Sequence, residues 1–457
     1  MLSEQLQTLL ERGWRLAFPS ASTHRRAMQH AMALPCVLGR RTITRTLCAL
    51  GRSEQDWSAD YKLFSRCRWR AEQLFQPVLD EHLQRYPKGP VFVAVDDTKL
   101  KKTGKKIPGT SWQRDPLSPP FHVNFLYGLR FLQASLLFPH YQEGDYSARA
   151  LPVRFQEAAV VKKPGKRADE EQLKQYKQLK QINNLSQQTL ELLRGLRANL
   201  DERGGSGRRL LMVGDGSFCN KTIFRAQCAN TEWLARCRKD ARLCFAAPAA
   251  ERRKYAREIF TPEQVRQDPE RGWQRVQIYF GGKRRPVKYK EVQEVLWKRG
   301  SGTRPLRLLV IAPVPYKLSK HSRTNYRQPA YFLSTDLTIS TKLLVQACFD
   351  RWQIEVNHRD EKDILGVGQA QVWAAQSVPR QPALVVAAYS MLLLAALREF
   401  GPGRTDNYVI QPRWRKGSKR PSFLDIVTLL RKECSETSVS HLLHQNFAQN
   451  LTLYADT

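Results

Sequence analysis

Two short, uninterrupted apolar runs, each stopping abruptly at acid, set the tightest limit on what this chain can fold into. Val91-Phe92-Val93-Ala94-Val95 runs straight into Asp96-Asp97-Thr98, and Leu210-Leu211-Met212-Val213 stops at Gly214-Asp215-Gly216-Ser217. Apolar runs of this length bounded by breakers, here residues 86–90 and 204–207, read as strands buried inside a sheet. Between them Leu173, Tyr176, Leu179, Ile182, Leu185, Leu190, Leu193 and Leu196 recur at near-helical spacing and predict one long helix from Asp169 to about Asp201. Strand, helix, strand is an α/β arrangement, in which ligands gather at the carboxyl ends of strands. Acids there are costly to bury unless they meet a cation or donors. Asp215 is open between that role and capping a helix around Lys221–Gln227. Alternation sends Asp96 and Asp97 to opposite faces, so only one of them is expected to point into a site.

A second constraint is the stretch Cys348–Lys362, which reads as helix. Arg351, Glu355, His358 or Arg359, and Lys362 follow at three- and four-residue steps and share a face, flanked by apolar Phe349, Trp352 and Val356. A carboxylate set between cations can hold a metal while Arg and Lys grip phosphate oxygens. A salt-bridged surface helix has the same pattern. Acids upstream that could converge on this helix are what favour the first reading.

Charge narrows the partner. The 457 residues carry 75 Lys and Arg against 42 Asp and Glu, a net charge of +33, and such an excess calls for a polyanion, nucleic acid before anionic membrane. The nine cysteines are odd in number and form no CxxC pair, as expected of reduced thiols rather than a disulfide framework or zinc site. No signal peptide is evident, and the apolar run 382–397 is short for a membrane span and reads as a buried helix. The expectation is a cytoplasmic protein facing DNA or RNA.

In chain order, residues 1–88 read as all-helical and arginine-studded, which suits phosphate contacts or a solvated charged face. Lys99, Lys101, Lys102, Lys105 and Lys106 form a cationic loop able to hold a phosphate backbone. Val123–Tyr127 and Arg130–Phe138 predict two strands of a hairpin turning near Gly128. Strands are also expected at 273–280, 287–297, 306–314 and 330–334, a basic β-rich segment. Arg413-Trp414-Arg415-Lys416 with Lys419 and Arg420 makes a basic, aromatic-bearing loop before a last helix from Ser422 to about Lys432.

Three acids therefore sit at two strand ends and on a late helix beyond a β insertion, a disposition suited to a two-metal site around a phosphodiester. In this the chain resembles the bacterial DDE insertion-sequence transposases. Their Glu-bearing helix carries Tyr, two residues, Arg, three residues, Glu, six residues, Lys. Arg351, Glu355 and Lys362 fit that spacing, and Cys348 stands at the Tyr position.

The resemblance implies an α/β RNase H-like catalytic core (89–218 and 344–400) with a β-rich insertion domain (219–343). It also implies an N-terminal helical DNA-binding domain (1–88) and leaves a C-terminal helical region (401–457). It implies catalytic, metal-binding Asp97, Asp215 and Glu355, with Asp97 preferred over Asp96 because it directly precedes Thr98. Two Mg²⁺ or Mn²⁺ ions per site would serve hydrolysis and then strand transfer by the 3′-hydroxyl. Arg351 and Lys362, with Lys101 and Lys102, would contact phosphates. Trp297 and Trp273 lie where some relatives stack a flipped base, though ordinary sheet packing accounts for either. The implied partners are double-stranded DNA and a second copy on DNA, with no membrane or small-molecule cofactor and a bacterial, nucleoid-associated location. A related nuclease, or a domesticated DNA-binding relative that does not join strands, is the alternative.

Overall fold

Hydrophobic periodicity accounts for the N-terminal part of the chain, where apolar stripes fold into helices Leu2–Gly13 (α1), Ala21–Ala33 (α2), Ile43–Ala49 (α3), Ser58–Ser65 (α4) and Gln76–Arg85 (α5). A computed structural model describes residues 1–115, 118–119, 121–139, 148–165, 167–319, 321–403 and 420–436. The basic stretch 413–416 and Lys419 lie outside these. Inside the helices, Asp60 is fully buried and compensated: His30 Nε2 lies 2.9 Å from its carboxylate, and Arg52 donates to both of its oxygens.

The centre is a ten-stranded mixed sheet among the described residues. Its first strands are Val91–Lys101 (β1), Ser111–Arg114 (β2), Phe125–Phe138 (β3) and Arg149–Glu157 (β4). The expected hairpin at Gly128 is instead one continuous strand, β3. Gly128 sits opposite Lys101, where an added Cβ would lie 2.2 Å from the Leu100 carbonyl oxygen, so the glycine permits a close strand approach rather than a turn.

The single long helix is two, Glu170–Ile182 (α6) and Leu185–Leu200 (α7), broken where the Asn184 side chain accepts from the Gln187 N–H and starts a new helix. Only α7 packs inward, and α6 buries none of its residues. Leu210–Gly214 (β5), Lys221–Phe224 (α8) and Thr231–Arg236 (β6) follow. β1 pairs antiparallel with β3 and parallel with β5, and β5 pairs parallel with β6. The spatial order β4-β3-β1-β5-β6 is consistent with the expected RNase H-like core.

The β-rich segment contributes Pro262–Gln267 (α9), Gln274–Phe280 (β7), Lys283–Leu296 (β8), Pro305–Ile311 (β9), the small pair Pro315–Tyr316 (β10) and Asn325–Tyr326 (β11), and Ala330–Ser334 (β12). Gly281 and Gly282, both at positive φ, turn β7 into β8. Through β12, which runs antiparallel to β6, these strands extend the same sheet. The last described elements are Thr341–Asp350 (α10), Gln353–Asp363 (α11), Ser377–Phe400 (α12) and Phe423–Glu436 (α13).

Two layers cover the central strands. On one face Val91, Val93, Val95, Leu210 and Met212 join Leu193, Leu196 and Leu200 of α7. On the other, Phe92, Ala94, Leu211, Val213 and Leu234 join Leu344, Val345 and Ala347 of α10 and Ile354 of α11. Helix α12 is long and apolar enough to cross a membrane, yet 83% of its apolar window is buried inside the protein. It is a core helix, packed on α1 and β4.

Candidate active site

Side-chain alternation decides which acids can meet. Phe92 and Ala94 are register partners of Leu211 and Val213, and all four face α10 and α11. Continuing that period, Asp96 just along β1 and Asp215 just beyond β5 fall on the same side, whereas Asp97 follows Val93 and Val95 to the α7 side.

The electrostatics agree. The Asp96 carboxyl is raised to about 7, by burial first and then by the nearby negative charges of Asp215 and Asp97, against the opposing pull of Arg351. Asp97 is also raised, by burial first, but it answers mainly to cations, Arg130 and Lys99, ahead of Asp215. Asp215 holds its local turn as well, accepting from the Ser217 N–H at 2.8 Å, while the following helix α8 is capped by Asn220.

The stretch 348–362 is not one uniform helix. At Arg351 and Trp352 the backbone tightens, with Trp352 N–H and Ile354 N–H each reaching back three residues, and α10 gives way to α11. Trp352 is left exposed rather than forming an apolar flank. Glu355, one-third exposed, pairs with Arg351, whose Nη2 lies 2.9 Å from its carboxylate. The other guanidinium nitrogen of Arg351, Nη1, is buried without a partner. Lys362 is half-buried; burial lowers its pKa, and the charges of Asp96 and Asp97 are among those that oppose the shift. His358 turns inward, where burial pushes it down to about 3 and keeps it neutral, while Arg359 is exposed and pairs with Asp360.

Two residues that sequence alone passed over sit behind the acids. Gln133, fully buried on β3, is the cross-strand partner of Asp96 and donates to Glu361 of α11 at 2.9 Å. Glu361 is almost fully buried, and burial raises it to about 8. A polar residue inside the apolar run Leu129–Phe138, opposite an acid, was the available signal.

The other candidates separate. Lys101 is exposed, whereas Lys102 is buried with its ammonium donating to the carbonyls of Gly368 and Ala370 at 2.9 and 2.6 Å, so its donors serve the fold. Trp297 is half-buried against Phe224, with ring centres 5.8 Å apart, and packs over Gly300. Trp273 is more open and lies under the Lys290 ammonium, 4.9 Å from the ring centre.

Among the described residues no three acids, histidines or cysteines already converge closely enough to hold an ion. The chemistry of the donors nonetheless suits a hard divalent cation: Asp96 and Asp215 offer carboxylate oxygens, burial first and then the Asp215 charge raise the Asp96 carboxyl, and a cation between them would offset both effects. Such a set can organise phosphodiester chemistry, with Arg351 and Lys362 beside it for the phosphate.

No curated protein sequence matches the chain. Residues 16–304, a span that includes β1, β5, Asp96, Asp97 and Asp215, match a family described as DDE superfamily endonuclease. That match covers more than half of the chain and accords with its mixed α/β sheet, and the protein belongs to the DDE superfamily endonucleases.

Proposed function

We propose that this protein is a DNA transposase that hydrolyses the ends of an insertion sequence and joins the freed 3′-hydroxyl to target DNA. The observation that carries the reading is the placement of Asp96, two residues past the parallel β1–β5 ladder in a strand that runs on to Lys101 rather than stopping at the acids, and of Asp215 just beyond β5, on the face covered by the helix that bears Glu355 and Lys362. Asp96 and Asp215 are the metal-holding pair in this reading, Glu355 is the third acid once it leaves Arg351, and Asp97 is left to the attraction of Arg130 and Lys99. Asp96, Asp215 and Glu355 would hold the Mg²⁺ or Mn²⁺ ions of such a site, which when bound would supply Lewis-acid stabilisation of the phosphodiester and a more acidic attacking water.

The chain's own residues do the rest. Arg351, with its unpartnered buried nitrogen, and Lys362 bind phosphate oxygens and align the scissile strand, and exposed Lys101 extends that contact. Gln133 and Glu361 brace α11 against β3, the strand paired with β1. Two such sites act together on paired ends as a homodimer on DNA, at the nucleoid of a bacterial cell. Of the two tryptophans, Trp273 is the one open enough to stack on a base.

The test is an in vitro assay with purified protein, Mg²⁺, labelled element ends and a target plasmid. Joined products that vanish in Asp215→Ala and Glu355→Gln, with end binding retained, support the proposal. Cleavage without any joined product leaves a nuclease instead, and cleavage retained in Glu355→Gln removes this residue from the site.

A further inference from the structure

Beside the acids, the sheet carries an open aromatic face that the proposed chemistry does not use. In β2 and the start of β3 the register pairs Trp112 with Tyr127 and Arg114 with Phe125, so alternation places all four on one face, with Gln113 and Leu126 turned to the interior. Trp112 is 70% exposed and Phe125 62%. The face is anchored: the ring centres of Trp112 and Tyr127 lie 5.4 Å apart, and the Tyr127 hydroxyl is fixed 2.7 Å from that of Thr110. It also adjoins the site, because Tyr127 shares along β3 the alternation of Gln133, the cross-strand partner of Asp96, and Lys99 of β1 ties the two strands together by donating from its ammonium to the carbonyl of Arg114.

Large rings held open to water lose free energy unless something covers them. A second copy of a chain of net charge +33 would bring like charge to a face that carries Arg114 beside Lys99, whereas a DNA strand brings phosphates of opposite sign and flat bases for the rings.

We propose that Trp112 and Phe125 form a stacking platform for unpaired bases of the DNA strand next to the cut, with Arg114 holding the adjoining phosphate. The proposal rests on the DNA-cleaving reading and adds a preference to it: ends with a short unpaired tail bind more tightly than blunt ends. Stacking of one base on an aromatic ring gives roughly a tenfold gain in affinity.

The experiment uses the full chain, with duplex ends that are either blunt or carry a short single-stranded tail containing 2-aminopurine. Binding is followed by fluorescence anisotropy, and stacking by quenching of the 2-aminopurine. Wild type is expected to favour the tailed end about tenfold and to quench the probe. Trp112→Ala and Phe125→Ala should each remove the preference and the quenching while leaving blunt-end affinity unchanged, and Trp112→Phe should restore most of both. The platform is overturned if both alanine variants keep the tail preference and the quenching. It is also overturned if they alter only the monomer–dimer distribution in sedimentation, which would make a second copy the occupant. A wild type that binds no DNA sinks the transposase reading together with this one, whereas normal cleavage with unchanged tail binding in the variants sinks this one alone.

Discussion

Replacing Asp96 with asparagine should make the protein more stable and inactive at once. The Asp96 carboxyl is held at about 7 against an ordinary 3.8, so the folded state keeps a proton that the unfolded chain releases. The sign follows: this acid costs little stability near pH 4, and the cost grows as pH rises, becoming full above about 7. At about 1.4 kcal/mol for each tenfold change in proton affinity, the rise corresponds to about 4 kcal/mol, and partial solvent screening brings the expectation to about 2–4 kcal/mol.

Asp96→Asn removes the charge and keeps the shape. For a chain of this length, with an unfolding entropy of about 1 kcal/mol/K, the gain is a rise in Tm of about 2–4 °C at about pH 8. It should shrink towards zero near pH 4. Thermal melts of wild type and Asp96→Asn at the two pH values, with and without Mn²⁺, measure it. Mn²⁺ should raise the Tm of wild type and not of the variant, because an ion that binds only the folded protein stabilises it. A variant that melts below wild type at both pH values, or a difference that does not grow with pH, would refute the claim that burial, with the charges of Asp215 and Asp97, penalises the ionised Asp96.

Three further outcomes are expected. Glu361→Gln keeps an acceptor for Gln133 while removing a carboxyl that burial raises from 4.5 to about 8; the loss of stability that wild type suffers as pH rises across that window should flatten by about 3–5 kcal/mol in denaturant titrations. Gly128→Ala drives a methyl against the Leu100 carbonyl oxygen and should cost about 3 kcal/mol or more, seen as a lower Tm and weakened cleavage, since β1 bears Asp96. Lys102→Met leaves the carbonyls of Gly368 and Ala370 without their donor and should cost about 1–3 kcal/mol in thermal melts while changing the salt dependence of DNA binding little; a clear fall in that dependence would return Lys102 to the phosphate-binding set.

Much of this protein is written locally. Five apolar residues before Asp96 and four before Gly214 specify buried strands whatever surrounds them, because only a covered sheet takes side chains that are apolar on both faces. The same holds for the α7 stripe, for the Gly281-Gly282 turn, and for a charged helix bearing Glu355 late in the chain. Period-2 alternation likewise separates Asp96 from Asp97 without any tertiary information.

What alternation cannot say is which face the later helix covers. That is set by the register of β1 on β5 and by the return of α10 and α11 across the sheet more than a hundred residues later, and it is the ground on which we propose Asp96 in place of the expected Asp97. Non-local contact also decided Gly128, which resembles a turn until Leu100 is brought against it, and Lys102, which resembles a free cation until the carbonyls of Gly368 and Ala370 arrive. Glu355 is the remaining case: its helix and its spacing from Arg351 were legible in the chain, but its present pairing with Arg351 depends on how a tightened turn orients two side chains. The sequence by itself determined the strands, the acids and their alternation, since these follow from short-range sterics and solvation. Only the tertiary structure decided which acids face one another, because that depends on strand register and helix placement between segments far apart in the chain.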